Sequence, residues 1–366
     1  MNLFFVIIII LYIVGNIYIY IRGLRALRNQ STGVKVLLSI IFWGGAISFF
    51  IPIIFKDAGM PSSFAQTLSQ AGSGWLVFTL YMTLFLLFFD FAQVIHFRFK
   101  FDFLFSLFLT LCLLAYGNYH YQHPCVKVIN IVFNKPIQSY QQSLKIVAIS
   151  DLHLGYATNK ETLSEYVNQI NNLRPDIVLI GGDLIDNSIV PLEREHMENE
   201  LSLIKASLGI FMIPGNHEYI SGIERTKSFI NKTPIHWLQD TAVTLPNQLQ
   251  LIGRDDRHNK KRKNLSQLTK NLNKERPVIL LDHQPYNLNK TAKANIDLQF
   301  SGHTHRGQIW PISWIVDHVF EISYGLRKIG NSTIYVSSGL SLWGPPYRIG
   351  TDSEIVVFNI KCKEQK

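Results

Sequence analysis

Asp176-Ile177-Val178-Leu179-Ile180-Gly181-Gly182-Asp183-Leu184-Ile185-Asp186 is a short apolar run that stops abruptly on two glycines and a carboxylate. A run this short, rich in β-branched residues and bounded by turn formers, reads as a buried strand. The glycines let the backbone turn sharply, so Asp183 is delivered at the strand's end. The same grammar recurs along the chain. Leu144–Ser150 ends at Asp151-Leu152-His153, and Gly209–Ile213 passes through Pro214 into Gly215-Asn216-His217-Glu218. Val278–Leu281 ends at Asp282-His283, and Ile296–Phe300 ends at Gly302-His303-Thr304-His305. Helix-like stretches over Lys160–Leu173 and Leu192–Ser207 separate the first of these runs. Strand–helix alternation with polar residues after each strand predicts an α/β fold whose site lies along one sheet edge. Gln308–Trp310, Ser332–Ser337 and Glu354–Ile360 also read as strands.

Any one of these blocks carries little weight, because a lone Asp or His after a strand is as often a turn or cap residue. Together they bring Asp151 and Asp183, with one Asn and five His, to strand ends. Hard cations favour carboxylate oxygen and borderline ones favour imidazole, so a mixed Asp/Asn/His set suits a two-metal hydrolytic centre. Adjacent Asn216 and His217 have little structural purpose after a Pro-Gly turn. Alternating His303 and His305 on an extended segment can serve two neighbouring ions.

The five blocks resemble the calcineurin-like metallophosphoesterase superfamily over essentially all of Leu144–Ile360. The ending Ser338-Gly-Leu-Ser-Leu-Trp-Gly-Pro-Pro-Tyr-Arg-Ile-Gly350 is similar to the YkuE/YaeI-type, membrane-associated branch. The resemblance implies a four-layer αββα sandwich with metals at the strand C-terminal edge. By position it implies Asp151, His153 and His305 on one divalent ion, Asn216, His283 and His303 on a second, and Asp183 bridging both. The ions would be Mn, Fe, Zn or Co. His217 takes the family's non-ligand catalytic position, as acid or as electrostatic stabiliser. The family's usual Gly-Gly-Gln after the last motif is here Arg306-Gly307-Gln308, so Arg306 faces either substrate or solvent. Asp186 is close enough to orient ligands or to cap a helix. Two cations about 3.5–4 Å apart activate a bridging hydroxide for attack on a phosphomonoester, phosphodiester or pyrophosphate bond. The branch points towards a lipid-linked or envelope substrate. An anchored phosphatase or nucleotidase of soluble substrates is a second reading. A non-enzymatic membrane sensor with a phosphate-binding domain is a third, with Asp90 as its best support.

The chain is 47% hydrophobic, more than an ordinary soluble protein of 366 residues, and the excess sits in its first third. Four runs there approach the roughly 20 apolar residues of a membrane span: Leu3–Ile21, Val36–Phe55, Trp75–Ile95 and Phe103–Tyr119. The first lacks the basic flank and small-residue cleavage site of a signal peptide. A transmembrane region over residues 1–121 is therefore expected, then a linker around Tyr119–Pro124 and a metallophosphoesterase domain over 122–366. Arg22, Arg25, Arg28 and Lys35 mark the first loop, and Arg98 and Lys100 the third. Positive loops stay inside, which puts the catalytic domain outside: a multi-pass protein of the bacterial inner (cytoplasmic) membrane facing the periplasm, with the bilayer as partner. The orientation inverts if one run is not a span. Part of the net charge of +9 belongs to these flanks, so no nucleic-acid partner is expected. Lys260-Lys261-Arg262-Lys263 reads as a solvated loop rather than a lipid or substrate contact. Of three cysteines, Cys125 and Cys362 could bridge if the first and last strands are neighbours.

Overall fold

The computed structural model describes residues 3–51, 62–137 and 143–362. It divides into a helical unit up to Tyr119, which also takes in Gly344–Tyr347, and a second unit from His120 onward. Helices run over Leu3–Ala26, Thr32–Ser48, Ser62–Val94 and Asp102–Gln122 in the first part of the chain. Val6–Ala26, Gln70–Val94 and Asp102–Gln122 are long and apolar enough to cross a membrane by length and composition. Thr32–Ser48 has 17 residues, about 25 Å at 1.5 Å per residue, against a hydrocarbon core of roughly 30 Å. The last four positions of the expected span Val36–Phe55 lie outside the described residues.

Thr32–Ser48 runs back antiparallel to the first helix: Tyr12 Oη donates to Ala46 O at 2.8 Å, and the Tyr20 and Ser39 hydroxyls pair at 2.9 Å. Larger polar side chains within the unit find partners, as an apolar surrounding requires. Trp75 Nε1 donates to Asn16 Oδ1 at 2.9 Å, while Asp90 accepts from Tyr18 and Arg22, and Arg22 also reaches Asp102. Asp90 is thus the counter-ion of Arg22, which weakens its support for a sensor role. The same network draws together the end of the first helix, the end of the third and the start of the fourth. The two basic loops consequently share one end of this unit.

The second unit contains two mixed sheets. In spatial order the first comprises β1 (Cys125–Phe133), β12 (Glu354–Cys362), β2 (Ser143–Ile149), β3 (Ile177–Ile180), β4 (Ile210–Met212) and β5 (Ile235–Trp237). The second comprises β10 (Gly325–Ile329), β11 (Ser332–Val336), β9 (Leu298–Ser301), β8 (Val278–Leu281), β7 (Gln250–Gly253) and β6 (Thr241–Thr244). β2 to β5 are parallel, as are β7, β8, β9 and β11. Alternate residues of each strand serve different cores. Ile146, Ala148, Ile177 and Leu179 pack with Ile279, Leu281, Leu298 and Phe300 from the other sheet. Val147, Ile149, Val178 and Ile180 pack with Leu163, Val167 and Ile170 of the helix Lys160–Asn172. Ile252, Val278 and Leu280 turn towards Leu265 and Leu268. Strands covered on both faces read as unbroken apolar runs.

Four expectations are corrected. The helix expected over Leu192–Ser207 is two short pieces, Val190–Glu195 and Glu198–Leu201, interrupted where His196 turns left-handed at φ 53°. Gln308–Trp310 is not a strand; it follows the 3₁₀ turn His305–Gly307, with one isolated bridge between Ile309 and Ile349. The linker shrinks to residues 123–124, because a helix continues to Gln122 and β1 begins at Cys125. β1 and β12 are indeed neighbours, but parallel, so Cys125 lies opposite Glu354 and Cys362 opposite Phe133. Eight strand steps separate the two cysteines, about 26 Å, far beyond the roughly 4.4–6.8 Å between bridged Cα atoms. Cys125 is a free thiol.

Candidate metal centre

Parallel strands end on the same side of their sheet, and that is how residues distant in sequence meet. Asp151 and His153 follow β2, Asp183 follows β3, Asn216 and His217 follow β4, His283 follows β8, and His303 and His305 follow β9. Asp151, His153 and His305 bring one donor atom each within 4.8 Å of one another, and so do Asp183, His283 and His303. His153, Asp183 and His217 form a third such group, which links the other two. The backbone bends hard to achieve this. Asp151, His153, Asp183, His303 and His305 all have positive φ, between 46° and 72°, a region that Asp and His enter more easily than most residues. Gly182 stands at φ 93°, and a Cβ there would meet Gly215 N at 2.8 Å. At Gly215 a Cβ would fall 2.2 Å from Asp183 Oδ1, so a side chain there displaces the carboxylate.

Several donors have nothing to bond. Asn216 Oδ1, His153 Nδ1 and His305 Nδ1 are buried without hydrogen-bond partners among the described residues. His153 Nε2 and His305 Nε2 lie 3.1 Å apart, with Asp151 Oδ1 3.5 Å from the latter. Buried polar atoms without partners are costly alone, and imidazole nitrogens and a carboxylate oxygen drawn this close fit the inner shell of a cation. His283 Nδ1 donates to Gly181 O at 2.8 Å, which turns Nε2 inward, 3.0 Å from Asp183 Oδ2. A carbonyl fixing one ring nitrogen so that the other can ligate is the usual outer support of a metal histidine.

Electrostatics match that use. Burial pushes the Asp183 carboxyl up, but His283 and the neighbouring imidazoles outweigh it and hold it well below the usual range. Burial raises Asp151 despite His283. Burial also keeps imidazoles neutral: His303 falls to about 3, and His305 and His217 fall too, each helped by a neighbouring histidine. Neutral imidazole is the ligating form. Two histidines move the other way. Burial opposes charge on His153 and His283, yet Asp186 and Asp183 respectively overcome it.

The remaining candidates fall into place around this cluster. His217 packs edge-on against His153, with ring centroids 4.5 Å apart, and its Nδ1 lies 3.1 Å from Asp186 O. Asp186 Oδ1 is 3.6 Å from His153 Nδ1 and 3.5 Å from His217 Nδ1. It lies between the two rings, and the next helix has Ile189, not Asp186, at its cap. Arg306 stacks over the Tyr324 ring at 4.7 Å.

Two residues escaped the sequence reading. Glu218 is fully buried and accepts from Asp183 N, Leu184 N, Ile185 N and Gly215 N at 2.6–3.1 Å. Burial and nearby Asp183 push its pKa up to about 7. Its place in the Gly-Asn-His-Glu block was the available signal. Arg348, also fully buried, donates to His305 O at 2.9 Å and to Ser338 O, Gly339 O and Ser341 O at 2.6–3.2 Å. Burial lowers its pKa to about 10. Arg348 thus ties the segment 338–341 to the His303–His305 loop.

Residues 144–307 match the family model described as calcineurin-like phosphoesterase. An uncharacterised metallophosphoesterase of Helicobacter pylori is 36% identical over 235 residues, 63% of this chain and 63% of the relative. The uncharacterised metallophosphoesterase YkuE of Bacillus subtilis is 31% identical over 232 residues, 59% of this chain and 79% of the relative. A Danio rerio transmembrane protein with metallophosphoesterase domain is 30% identical over 278 residues, 71% of this chain and 62% of the relative. The chain therefore spans less than two thirds of the length of the first and last of these. Fold and these likenesses agree: the chain belongs to the calcineurin-like phosphoesterase family.

Proposed function

We propose that this protein is a membrane-anchored, metal-dependent phosphoesterase, its domain over 122–366 built as a four-layer αββα sandwich. The observation that carries this reading is the convergence of buried His side chains on Asp151 and Asp183 at the strand ends, with the buried, unpartnered Asn216 Oδ1 on the next loop. In this reading Asp151, His153 and His305 hold one divalent cation, and Asn216, His283 and His303 hold another, with Asp183 shared between them. Such cations supply positive charge for phosphoryl oxygens and lower the pKa of water. The chain's own groups do the rest. Asp186 O takes the Nδ1 proton of His217, so Nε2 is the atom left for the reaction. Burial and His153 favour the neutral ring, so Nε2 is a proton acceptor: it can take the proton lost by the attacking water and pass it to the leaving oxygen. Glu218 and Arg348 hold the ligand loops by their backbones.

The test uses the full-length protein in detergent with added manganese. Hydrolysis of bis-p-nitrophenyl phosphate that EDTA abolishes is expected. Lack of metal-dependent cleavage of any monoester, diester or pyrophosphate probe would sink the proposal. The substrate is taken to be lipid-linked, since anchoring concentrates the enzyme at a bilayer. Faster cleavage of a lipid phosphoester in liposomes than of a nucleotide in solution is the expected outcome, and the reverse ranking points to the soluble-substrate reading.

Four spans with both basic loops inside would place this domain in the periplasm, the protein lying in the inner membrane. The sharing of one end by the two basic loops supports an even pairing of crossings. In a cysteine-free background, Lys263→Cys should react with an impermeant maleimide on intact spheroplasts, while Asn29→Cys and Lys100→Cys should not. Labelling of the last two alone reverses the orientation.

A further inference from the structure

Beside the His/Asp cluster the second sheet carries a groove for which the reaction proposed above has no use. A cavity of about 250 Å³ is lined by Arg254, Arg257, Lys260, Arg262 and Lys290, with Tyr286, and by no acidic side chain among the described residues. It shares Arg257, Lys260 and Tyr286 with a second cleft of about 410 Å³ that reaches Asn216. The two therefore form one path that starts at a candidate metal ligand and ends among five cations.

The charges in that wall are not cancelled. Asp282 lies behind it, and its two oxygens are each taken by a different guanidinium, Arg254 at 2.7 Å and Arg262 at 3.1 Å. One carboxylate thus offsets two half-buried cations. Arg254 Nε is a buried donor without a partner. Arg257 is stacked on the Tyr286 ring at 4.3 Å, which fixes its plane and leaves its N–H edge available. Asp256 is the acidic residue of the adjoining cleft, and both its oxygens are engaged, by His258 N and by Gln284 Nε2. The basic run Lys260–Lys263 is thereby divided: Arg262 turns inward to Asp282, Lys260 lines the path, and Lys261 and Lys263 are exposed.

Like charges crowd this way at a cost, and a fixed guanidinium with a spare donor matches the oxygens of a phosphoryl dianion. The cavity is smaller than the roughly 300–1,000 Å³ of a pocket for a whole drug-sized ligand, so it fits one group of a larger molecule. We propose that it binds a second phosphoryl group of the substrate, apart from the one being cleaved. Preferred substrates would then carry two phosphorus centres, and the groove would set specificity through KM. This rests on the phosphoesterase reading, which names the bond broken; the groove names a further feature of the molecule.

The experiment compares thymidine 5′-(p-nitrophenyl phosphate) with its 3′-phosphorylated form, using full-length protein in zwitterionic detergent with manganese. Both release p-nitrophenol from the same bond. The added phosphate is expected to raise kcat/KM about tenfold or more, chiefly through KM, as one or two charge-assisted contacts allow. In the triple variant Arg257→Gln, Lys260→Gln, Lys290→Gln the ratio between the probes should fall to near one. A ratio near one in the wild type, or one untouched in the variant, overturns the proposal. Calorimetric titration of metal-free protein with thymidine 3′,5′-bisphosphate gives a readout without turnover. Binding weakened about tenfold by the triple substitution supports the subsite even if neither probe is hydrolysed, in which case the phosphoesterase reading alone fails. No binding overturns it. Phosphatidylglycerol in the micelles separates the other source of the same chemistry: if it accelerates cleavage of the single-phosphate probe only when the three cations are present, the groove serves a lipid headgroup and the substrate assignment is lost.

Discussion

Replacing Asp183 with Asn is expected to lower kcat for manganese-dependent phosphoester hydrolysis by at least about 1,000-fold. The reason is charge, not shape. Asn keeps an oxygen to accept the His217 N–H, which Asp183 Oδ1 now takes at 2.9 Å. It loses the negative charge that two cations would share. The fold should persist, with a melting temperature close to wild type in EDTA, while metal content measured on purified protein falls below two ions per chain. His217→Ala should behave differently, keeping its metal and losing about 100- to 10,000-fold in rate. Full activity in Asp183→Asn would remove the basis for the two-cation reading.

Glu218→Ala has the largest expected effect on stability. Its two oxygens serve four buried backbone N–H groups on the loops that carry Asp183 and Asn216. Removing the carboxylate leaves all four unpaired, at a cost of about 3–5 kcal/mol. For a unit of this size that corresponds to a fall in Tm of roughly 6–20 °C. Glu218→Gln retains one acceptor but turns an amide N–H₂ against two donors, so an intermediate loss is expected. Thermal melts in EDTA keep metal binding out of the comparison. A change under about 2 °C for the alanine variant would mean that water satisfies these groups and that Glu218 is not the anchor.

The candidate donor residues were legible because each follows a buried strand, and short apolar runs ending on Gly, Asp, Asn or His stand out in a single sequence. Glu218 sat in plain view within its block, but a carboxylate that bonds only backbone leaves no pattern of residue types. Arg348 belonged to an ending that could be matched to a family branch without its task being apparent. β5, β6 and β7 are three or four residues long, too short for a period to emerge. The break at His196 depends on one residue turning left-handed, which propensity does not foresee. The cysteines failed for another reason: adjacency of first and last strands was foreseeable, but their direction was not. Parallel pairing separates residues that antiparallel pairing would have brought together.

That pairing also governs when the fold can close. β12 lies between β1 and β2, so the strand made last fills a slot between the two made first. Until residues 354–362 have left the ribosome, β1 lacks its neighbour and β2 has an open edge. The sheet cannot complete itself progressively from its N-terminal end, and its contacts span more than 200 residues of chain. Long-range pairing of this kind is slow and leaves apolar edges exposed during synthesis. A nascent chain stalled before Glu354 should be protease-sensitive throughout the α/β unit, and resistance should arrive in one step when the final strand is released.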